Sequence, residues 1–272
     1  MSLTQIEPDS PARTIAERFV SARRSARATP HYPGRIPSTL AEAYAIQDEA
    51  IALYGDRIAG WKVGGVPPAQ QSGLGAHRLA GPIFGRNVWS AESGETVALP
   101  AIEGGFTAVE SEFIARIGQD ADPARFDWTI EDAVRQIDAL FVGVELAGSS
   151  LSAINDLGSA VVASDFGNNA GLVLGPEVVD WRGRLDDLEV ETIVNGASVG
   201  FGRHSSLAGG AMESVRFLLE HCARTRRPLK AGALVSTGAV TGVHRVAAGD
   251  QATCIFKGVA EIHCSVVRAG PV

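Results

Sequence analysis

The sequence predicts an α+β protein: a small helical N-terminal part, residues 1–56, followed by one β-rich domain, residues 57–272. Three observations predict it. Apolar residues recur at helical spacing in both segments before residue 56. Beyond it, most apolar runs are short and closed by glycine, of which the chain has 31, a pattern of turns and strands rather than of a helical bundle. Asn195-Gly196, between two apolar runs, is the strongest short-range signal for a hairpin.

The elements follow in order. Residues 12–28 read as a helix, with Ile15, Ala16, Phe19 and Val20 on one face. "ATPHYPGRIP" is a Pro/Gly-rich linker. In "STLAEAYAIQDEAIALYG", Thr39 and Glu42 form a capping box, Gly55 is the C-cap, and Leu40, Ala43, Tyr44, Gln47, Ala50 and Ile51 share a side. "RIAGWKVGG" reads as a strand, "GLGAHRLAGPIFGRNV" as loop, and "TAVESEFIARIG" as a strand of period two. Thr129 and Asp132 cap a helix, "IEDAVRQIDAL", that runs into the strand "FVGVELA". "SAVVASDFGNNAGLVLG" reads as strand, polar turn and strand, and "LEVETIVNGASVGFG" as the hairpin. "AMESVRFLLEHCART" is an amphipathic helix, and "ALVSTGAV", "HRVAAGD", "QATCIFKG" and "AEIHCSVV" read as strands.

Bulk properties exclude several functions. A net charge of −7 leaves no basic domain for a phosphate backbone, so no nucleic-acid partner is expected. The one basic run, "ARRSAR" at residues 22–27, reads as a solvated helix face. No stretch reaches the roughly 20 apolar residues of a membrane span. "MSLTQIEPDS" lacks the pattern of a signal peptide. Cys222, Cys254 and Cys264 are too few and scattered for a disulfide framework or a zinc site, which together with the rest points to a reducing cytoplasm. P-loop, G-x-G-x-x-G, G-x-S-x-G and H-E-x-x-H motifs are absent.

The chemistry-bearing candidates are acids in apolar surroundings. Glu110 and Glu112 lie two residues apart in a strand and so face the same side. On spacing alone, two exposed acids on a polar strand face explain them better than a site does. Glu145, in the apolar "LFVGVELAG", has two open accounts: a buried carboxylate satisfied by Arg116 or Arg245, or the third ligand of a hard divalent cation. Lys62 in "GWKVGG" either snorkels to solvent or faces a site, where it binds an anion or transfers a proton. The turn "SDFGNN" brings Ser164, Asp165, Asn168 and Asn169 between apolar runs, at the rim of a cavity or merely as caps. Ser236, Thr237 and Gly238 offer hydroxyls and a backbone N–H to an anion, or form only a turn.

"AGWKVGG", "VESEFIARIG", "FVGVELAGSS", "ASDFGNNAGLVLG" and "STGAV…VAAGDQATCIFKGVAEI" stand in the order and spacing of the fumarylacetoacetate hydrolase superfamily. Within it the set most resembles the 2-keto-4-pentenoate hydratase and oxalocrotonate decarboxylase branch, and "STLAEAYAIQDEAI" resembles that branch's N-terminal helix. The resemblance implies a mixed β-roll core with a small helical N-terminal part, assembled as a homo-oligomer. It implies Glu110, Glu112 and Glu145 as ligands of Mg²⁺ or Mn²⁺, with Ca²⁺ also accepted, and Lys62 beside the substrate. It implies Thr237 and Gly238 at the substrate's carboxylate end, with Asp165 and Asn168 in the substrate-binding turn, where asparagine replaces the branch's usual serine.

The implied activity is a metal-dependent lyase adding water to a small 2-keto or 2-hydroxydienoic acid in aromatic-compound catabolism. The alternatives are a decarboxylase of an oxalocrotonate-type 2-keto diacid, or a metal-bound small-acid binder without turnover. A C–C bond hydrolase, with His31 as its base, ranks lowest. One departure bears on the choice. Where such hydratases usually carry an acid, "RLAGPIF" places Leu79, and His77 and Arg78 are the neighbours that could substitute.

Overall fold

The computed structural model describes residues 10–91 and 94–272. The N-terminal stretch read above for a signal peptide lies, apart from Ser10, outside the described residues.

In chain order, α1 (Pro11–Arg24) and α2 (Leu40–Tyr54) precede β1 (Ile58–Gly65), α3 (Pro68–Leu74), β2 (Arg78–Phe84), β3 (Val88–Ser90) and β4 (Thr96–Ala101). There follow β5 (Phe106–Ile117), α4 (Ile130–Gln136), β6 (Ile137–Ser149), α5 (Ser159–Ser164), β7 (Asn169–Glu177) and α6 (Trp181–Arg184). The chain ends with β8 (Glu189–Val194), β9 (Ala197–Arg203), α7 (Gly210–Arg224), β10 (Leu234–Ser236), β11 (His244–Arg245), β12 (Gln251–Phe256) and β13 (Ala260–Arg268). Among the described residues these strands form two sheets. One runs β2-β1-β10-β5-β6-β7-β3, with β11 added to β5; the other runs β4-β13-β12-β8-β9. Parallel pairs (β1/β10, β3/β7, β13/β4) interrupt otherwise antiparallel ladders, so both sheets are mixed, as a β-roll requires.

The long strands β5 and β6 are the spine. They pair from Phe106 opposite Ser149 to Arg116 opposite Ala139. The odd-numbered side of β5 packs Val109, Phe113 and Ala115 into the main core with Cys254, Phe256 and Ile262 of the second sheet. On the even-numbered side, Ala108 joins a second core with Ile15, Phe19, Val20, Ile46 and Ala50 of α1 and α2. Both faces are therefore covered, and the expected polar face of β5 is buried along almost its whole length. That removes the account of Glu110 and Glu112 as exposed acids.

Several elements differ from the sequence reading. "RLAGPIF" is strand β2 and not loop; it is an edge strand, where Pro82 can be tolerated. "SAVVAS" is the short helix α5, an ambiguity inherent in an apolar run too short to show a period. Helix α4 stops at Gln136, because "IDAL" already belongs to β6. Strand β4 went unread, while the strand in "ALVSTGAV" shrinks to three residues. The hairpin forms as expected, with Asn195 and Gly196 both at positive φ.

The basic run is the largest correction. Arg23 is not solvated: its side chain is 9% exposed and reaches from α1 to the end of α5. Its Nε donates to the fully buried Asp165 at 2.8 Å, and its Nη atoms donate to the carbonyls of Gly148 and Asn169 at 2.8 and 3.1 Å. Asp165 also accepts from Ser149 Oγ at 2.5 Å. Removing one partner of a buried ion pair costs about 3–5 kcal/mol. Arg23→Leu should therefore lower unfolding free energy by about that amount in urea titration. The double variant with Asp165→Asn should cost clearly less than the two single changes added; strict additivity would show that the pair is not coupled.

Candidate active site

Neighbouring strands of the main sheet deliver the candidate residues to one place. Register puts Glu110 of β5 directly opposite Glu145 of β6, and Glu112 opposite Gly143. Lys62 of β1 lies opposite Ser236 of β10, and Ser236 lies opposite Ile114 of β5. The carboxylates of Glu110, Glu112 and Glu145 each offer an oxygen within 4.8 Å of the others. Lys62 Nζ stands 3.3 Å from Glu145 Oε2. The partner of Glu145 is thus Lys62, not the arginines proposed from sequence: Arg116 pairs with Asp138, and Arg245 lies over the ring of Phe106.

Hydrogen bonds hold one oxygen of each of two of these acids. Glu112 Oε2 accepts from Ser236 Oγ at 2.5 Å and from the Gly238 N–H at 2.9 Å. Glu145 Oε1 accepts from Asn169 Nδ2 at 2.9 Å. Glu112 Oε1 is buried with no hydrogen-bond partner, and the buried Glu145 Oε2 faces the Lys62 ammonium at 3.3 Å. A buried acceptor left without a partner is costly unless a ligand completes it. The donor set fits a hard divalent cation: carboxylate oxygens only, held from behind so that free oxygens converge.

The charges are strongly coupled. Burial pushes the Glu110 carboxyl up to about 8, with the Glu145 charge adding to it and Lys62 opposing. Glu112 is raised well above the usual carboxylate range, by burial first and then by Glu145 and Glu110. Burial alone would depress the Lys62 ammonium, but Glu145, Glu110 and Glu112 together hold it above its ordinary value. Lys62 therefore stays charged at neutral pH.

Lys62 and Glu110 line a cavity of about 480 Å³, whose apolar wall includes Val63, Leu79 and Val162. Thr237, Gly238 and Asn168 also line it, and His77 lies at its edge with its ring bonded to Gln71 at 2.7 Å. The Thr237 hydroxyl donates to the Phe113 carbonyl and the Gly238 N–H donates to Glu112, so these two shape the wall and neither donor is free for an anion. Gly238 sits at φ +118°, a conformation that suits only glycine. Asn168 keeps a buried, unpartnered Oδ1. Asp165 does not line the cavity, since Arg23 and Ser149 take its carboxylate. Ser236, expected as a hydroxyl for an anion, and Asn169, expected in the polar turn, instead hold Glu112 and Glu145.

The family model described as fumarylacetoacetate (FAA) hydrolase C-terminal matches residues 77–267. The chain belongs to that family. Among curated relatives, the TodF product hydratase of Pseudomonas putida F1 is 26% identical over 266 residues, 94% of this chain and 96% of that protein. A 2-keto-4-pentenoate hydratase of Paraburkholderia xenovorans LB400 is 28% identical over 227 residues, 81% of each chain. Among solved structures, 4-oxalocrotonate decarboxylase from Pseudomonas putida G7, complexed with calcium and acetate, aligns with a TM-score of 0.78 at 20% identity. That alignment covers 98% of this chain and 99% of the other. Fumarylpyruvate hydrolase from Pseudomonas aeruginosa, in complex with Mn²⁺ and pyruvate, aligns with a TM-score of 0.59 at 20% identity over 79% of this chain and 91% of that one. At these identities the structural likeness is one of fold.

The raised Glu110 carboxyl gives the site a pH signature. Its folded-state value, about 8, exceeds the ordinary 4.5, so its contribution to stability is complete below pH 4.5 and is lost as pH rises through about 8. A cation that needs the ionised form must displace this proton at neutral pH. The thermal shift caused by a fixed Mg²⁺ concentration should therefore be larger at about pH 8.5 than at about pH 6, with proton release measurable by calorimetry near pH 7. A shift independent of pH would show that Glu110 takes no part in holding the ion.

Proposed function

We propose that this chain is a divalent-metal-dependent hydro-lyase that adds water to a small 2-keto acid or its 2-hydroxydienoic form, in the manner of a 2-keto-4-pentenoate hydratase. The observation that carries the reading is the convergence of Glu110, Glu112 and Glu145 with Lys62 beside a cavity sized for a small ligand. The hydratase names of the relatives that match over most of the chain support it.

Glu110, Glu112 and Glu145 would hold Mg²⁺ or Mn²⁺, and the same oxygens suit Ca²⁺. The bound ion supplies Lewis-acid stabilisation of the negative charge that develops as a 2-keto acid enolises. Lys62, kept protonated by three acids, holds the substrate's carboxylate and can donate a proton from Nζ; it is poorly placed to act as a base. Asn168 offers its free Oδ1 to a substrate hydroxyl or the attacking water. Val63, Leu79 and Val162 exclude other water. Within residues 1–56, the helices α1 and α2 act as a brace for the β-rich domain, through Arg23 and through Tyr44, whose hydroxyl accepts from the Ala80 N–H at 3.0 Å. A homo-oligomer is part of the same reading, and the exposed apolar pair Val199 and Phe201 on β9 supports it.

Leu79 favours a second reading. It is buried against Ala43, Val66 and Ala160 while lining the cavity, so no acid stands where a hydratase would direct water. Loss of CO₂ from a 2-keto diacid uses the same enolate and needs no group to activate water.

Purified protein should consume 2-hydroxypenta-2,4-dienoate, seen as loss of its ultraviolet absorbance, with Mg²⁺ and not with chelator. Release of CO₂ from an oxalocrotonate-type substrate instead would select the decarboxylase, and binding without turnover of either would leave a small-acid binder. Glu145→Gln should lower kcat/KM by on the order of a hundredfold or more, as loss of electrostatic stabilisation does. Unchanged Mg²⁺ affinity in both Glu110→Ala and Glu145→Gln, measured by calorimetry, would sink the metal site.

A further inference from the structure

His77 lines the cavity, and its bonding decides which ring nitrogen can take a proton. Gln71 of α3 donates from Nε2 to the Val66 carbonyl at 2.9 Å, and its Oε1 lies 2.7 Å from His77 Nδ1. The Val66 carbonyl can only accept, so the amide keeps its nitrogen there and turns its oxygen to the ring. Two acceptors do not bond each other, so Nδ1 carries the hydrogen. A proton therefore comes and goes at Nε2. Among the described residues the ring makes no hydrogen bond besides the one to Gln71.

The register places this imidazole on the same face of the sheet as Lys62. Lys62 lies opposite Gly81 on β2, and Gly64 lies opposite Leu79. The Val66 N–H donates to the His77 carbonyl at 2.9 Å and carries the ladder one step further. Opposed residues of an antiparallel pair share a face, as do residues two apart on one strand. Lys62, Gly64, Leu79 and His77 therefore share a face, and Arg78 leaves from the other. A Cβ on Gly64 would lie 3.7 Å from Lys62 Nζ and 3.2 Å from Leu79 Cδ1, so the ammonium stands at the level of Leu79. His77 leaves the backbone about 7 Å further along the strand, exposed at the mouth of the cavity. Among the described residues, the other ionisable side chains lining the cavity are Lys62, Arg78 and Glu110. Lys62 is paired with Glu145, Glu110 belongs to the carboxylate cluster, and a guanidinium does not give up its proton. His77 Nε2 is the base left uncommitted.

We propose that His77 is the general base of the hydration, taking a proton at Nε2 from the water that adds to the substrate, with Gln71 as the positioning residue that keeps Nδ1 protonated. This inference rests on the hydratase reading above, with Lys62 and the carboxylates at the 2-keto end. In the keto form of the substrate, C3=C4 is conjugated with the 2-oxo group. Nε2 takes a proton from water as the water oxygen bonds to C4. The C3=C4 electron pair moves to C2–C3, and the charge passes to the 2-oxo oxygen. C3 then takes a proton from Lys62 as the C2=O bond re-forms, and the imidazolium returns its own proton to the lysine through water. The net change is H on C3 and OH on C4. Imidazole is the side chain most often used for such a transfer. Loss of CO₂ from a 2-keto diacid needs no base for water, so the role of His77 belongs to the hydratase alone.

The test uses the full chain with Mg²⁺ and two readouts. One is hydration of 2-hydroxypenta-2,4-dienoate; the other is calorimetric binding of 2-oxopentanoate, which has no C3=C4 bond to hydrate. His77→Gln should lower kcat by about a hundredfold to ten-thousandfold, the usual contribution of general acid–base catalysis, and leave the affinity for 2-oxopentanoate unchanged. Gln71→Leu should lower kcat on the order of tenfold, as loss of a group that orients an imidazole does, and should cost nothing further in the His77→Gln background. Hydration by His77→Gln at the wild-type kcat overturns the proposal. So does a fall in kcat matched by an equal fall in 2-oxopentanoate affinity, which is damage to the 2-keto end. A cost of Gln71→Leu that persists without His77 overturns its positioning role. If the wild type binds 2-oxopentanoate and hydrates nothing, the hydratase reading fails and His77 as its base fails with it. If the wild type and His77→Gln hydrate alike, only the role of His77 fails.

Discussion

Four ionisable groups sharing one buried place set the main constraint on this structure. Glu110, Glu112, Glu145 and Lys62 are each no more than 5% exposed. Fully ionised, three carboxylates and one ammonium would leave a net charge of about −2 out of water, which a folded protein does not tolerate. Protonation relieves it, as the raised Glu110 and Glu112 values show. A divalent cation relieves it without giving up the carboxylates, which is why charge and geometry point to the same occupant.

The surrounding fold can be followed outward from those acids. Glu145 is held by Asn169, and the Asn169 carbonyl accepts from Arg23. Arg23 is anchored in turn by the fully buried Asp165, which Ser149 also holds. A helix near the N-terminus thus braces a carboxylate of the buried cluster through two intervening groups. Glu112 is held from the other side by Ser236 and Gly238, and Ser214 of α7 steadies that segment by donating to the Thr237 carbonyl at 2.7 Å. Glu145 is oriented from α1 on one side and Glu112 from β10 and α7 on the other, so the placing of these two does not rest on their mutual repulsion alone.

How much of this could be read from sequence depends on how local each signal is. The helices α1, α2 and α7 and the hairpin at Asn195-Gly196 carry their periods and caps within a few residues, and they form where expected. The acids were visible because a charge inside an apolar run stands out. Their common partner was not: Lys62 lies 83 positions before Glu145, and only the register of β1, β10, β5 and β6 brings them together. Arg23 was misread for the same reason. Its run looks like a basic helix face, and the buried carboxylate it meets is 142 residues away. Strand β2 and helix α5 were misassigned because short apolar stretches with Gly or Pro carry too little periodicity to decide between strand, helix and loop.

The turn that closes the cavity shows how backbone strain is put to use. Phe166, Gly167 and Asn168 all stand at positive φ, a costly arrangement for the two that are not glycine, of the order of 1–3 kcal/mol each. What over-determines it is close contact. A Cβ on Gly81 would lie 2.0 Å from the Phe166 carbonyl oxygen, so β2 can approach the turn only at a glycine. Phe166 is clamped edge-on between Tyr54 and Phe84, with the Arg23 guanidinium over its ring. A Cβ on Gly167 would meet the stem of Lys62 at 3.2 Å. The same left-handed turn that lets Asn168 face the cavity and Asn169 reach Glu145 also packs against the lysine. The position of Lys62 over the carboxylates is therefore set by backbone packing as well as by charge, and neutralising the acids would not by itself release it.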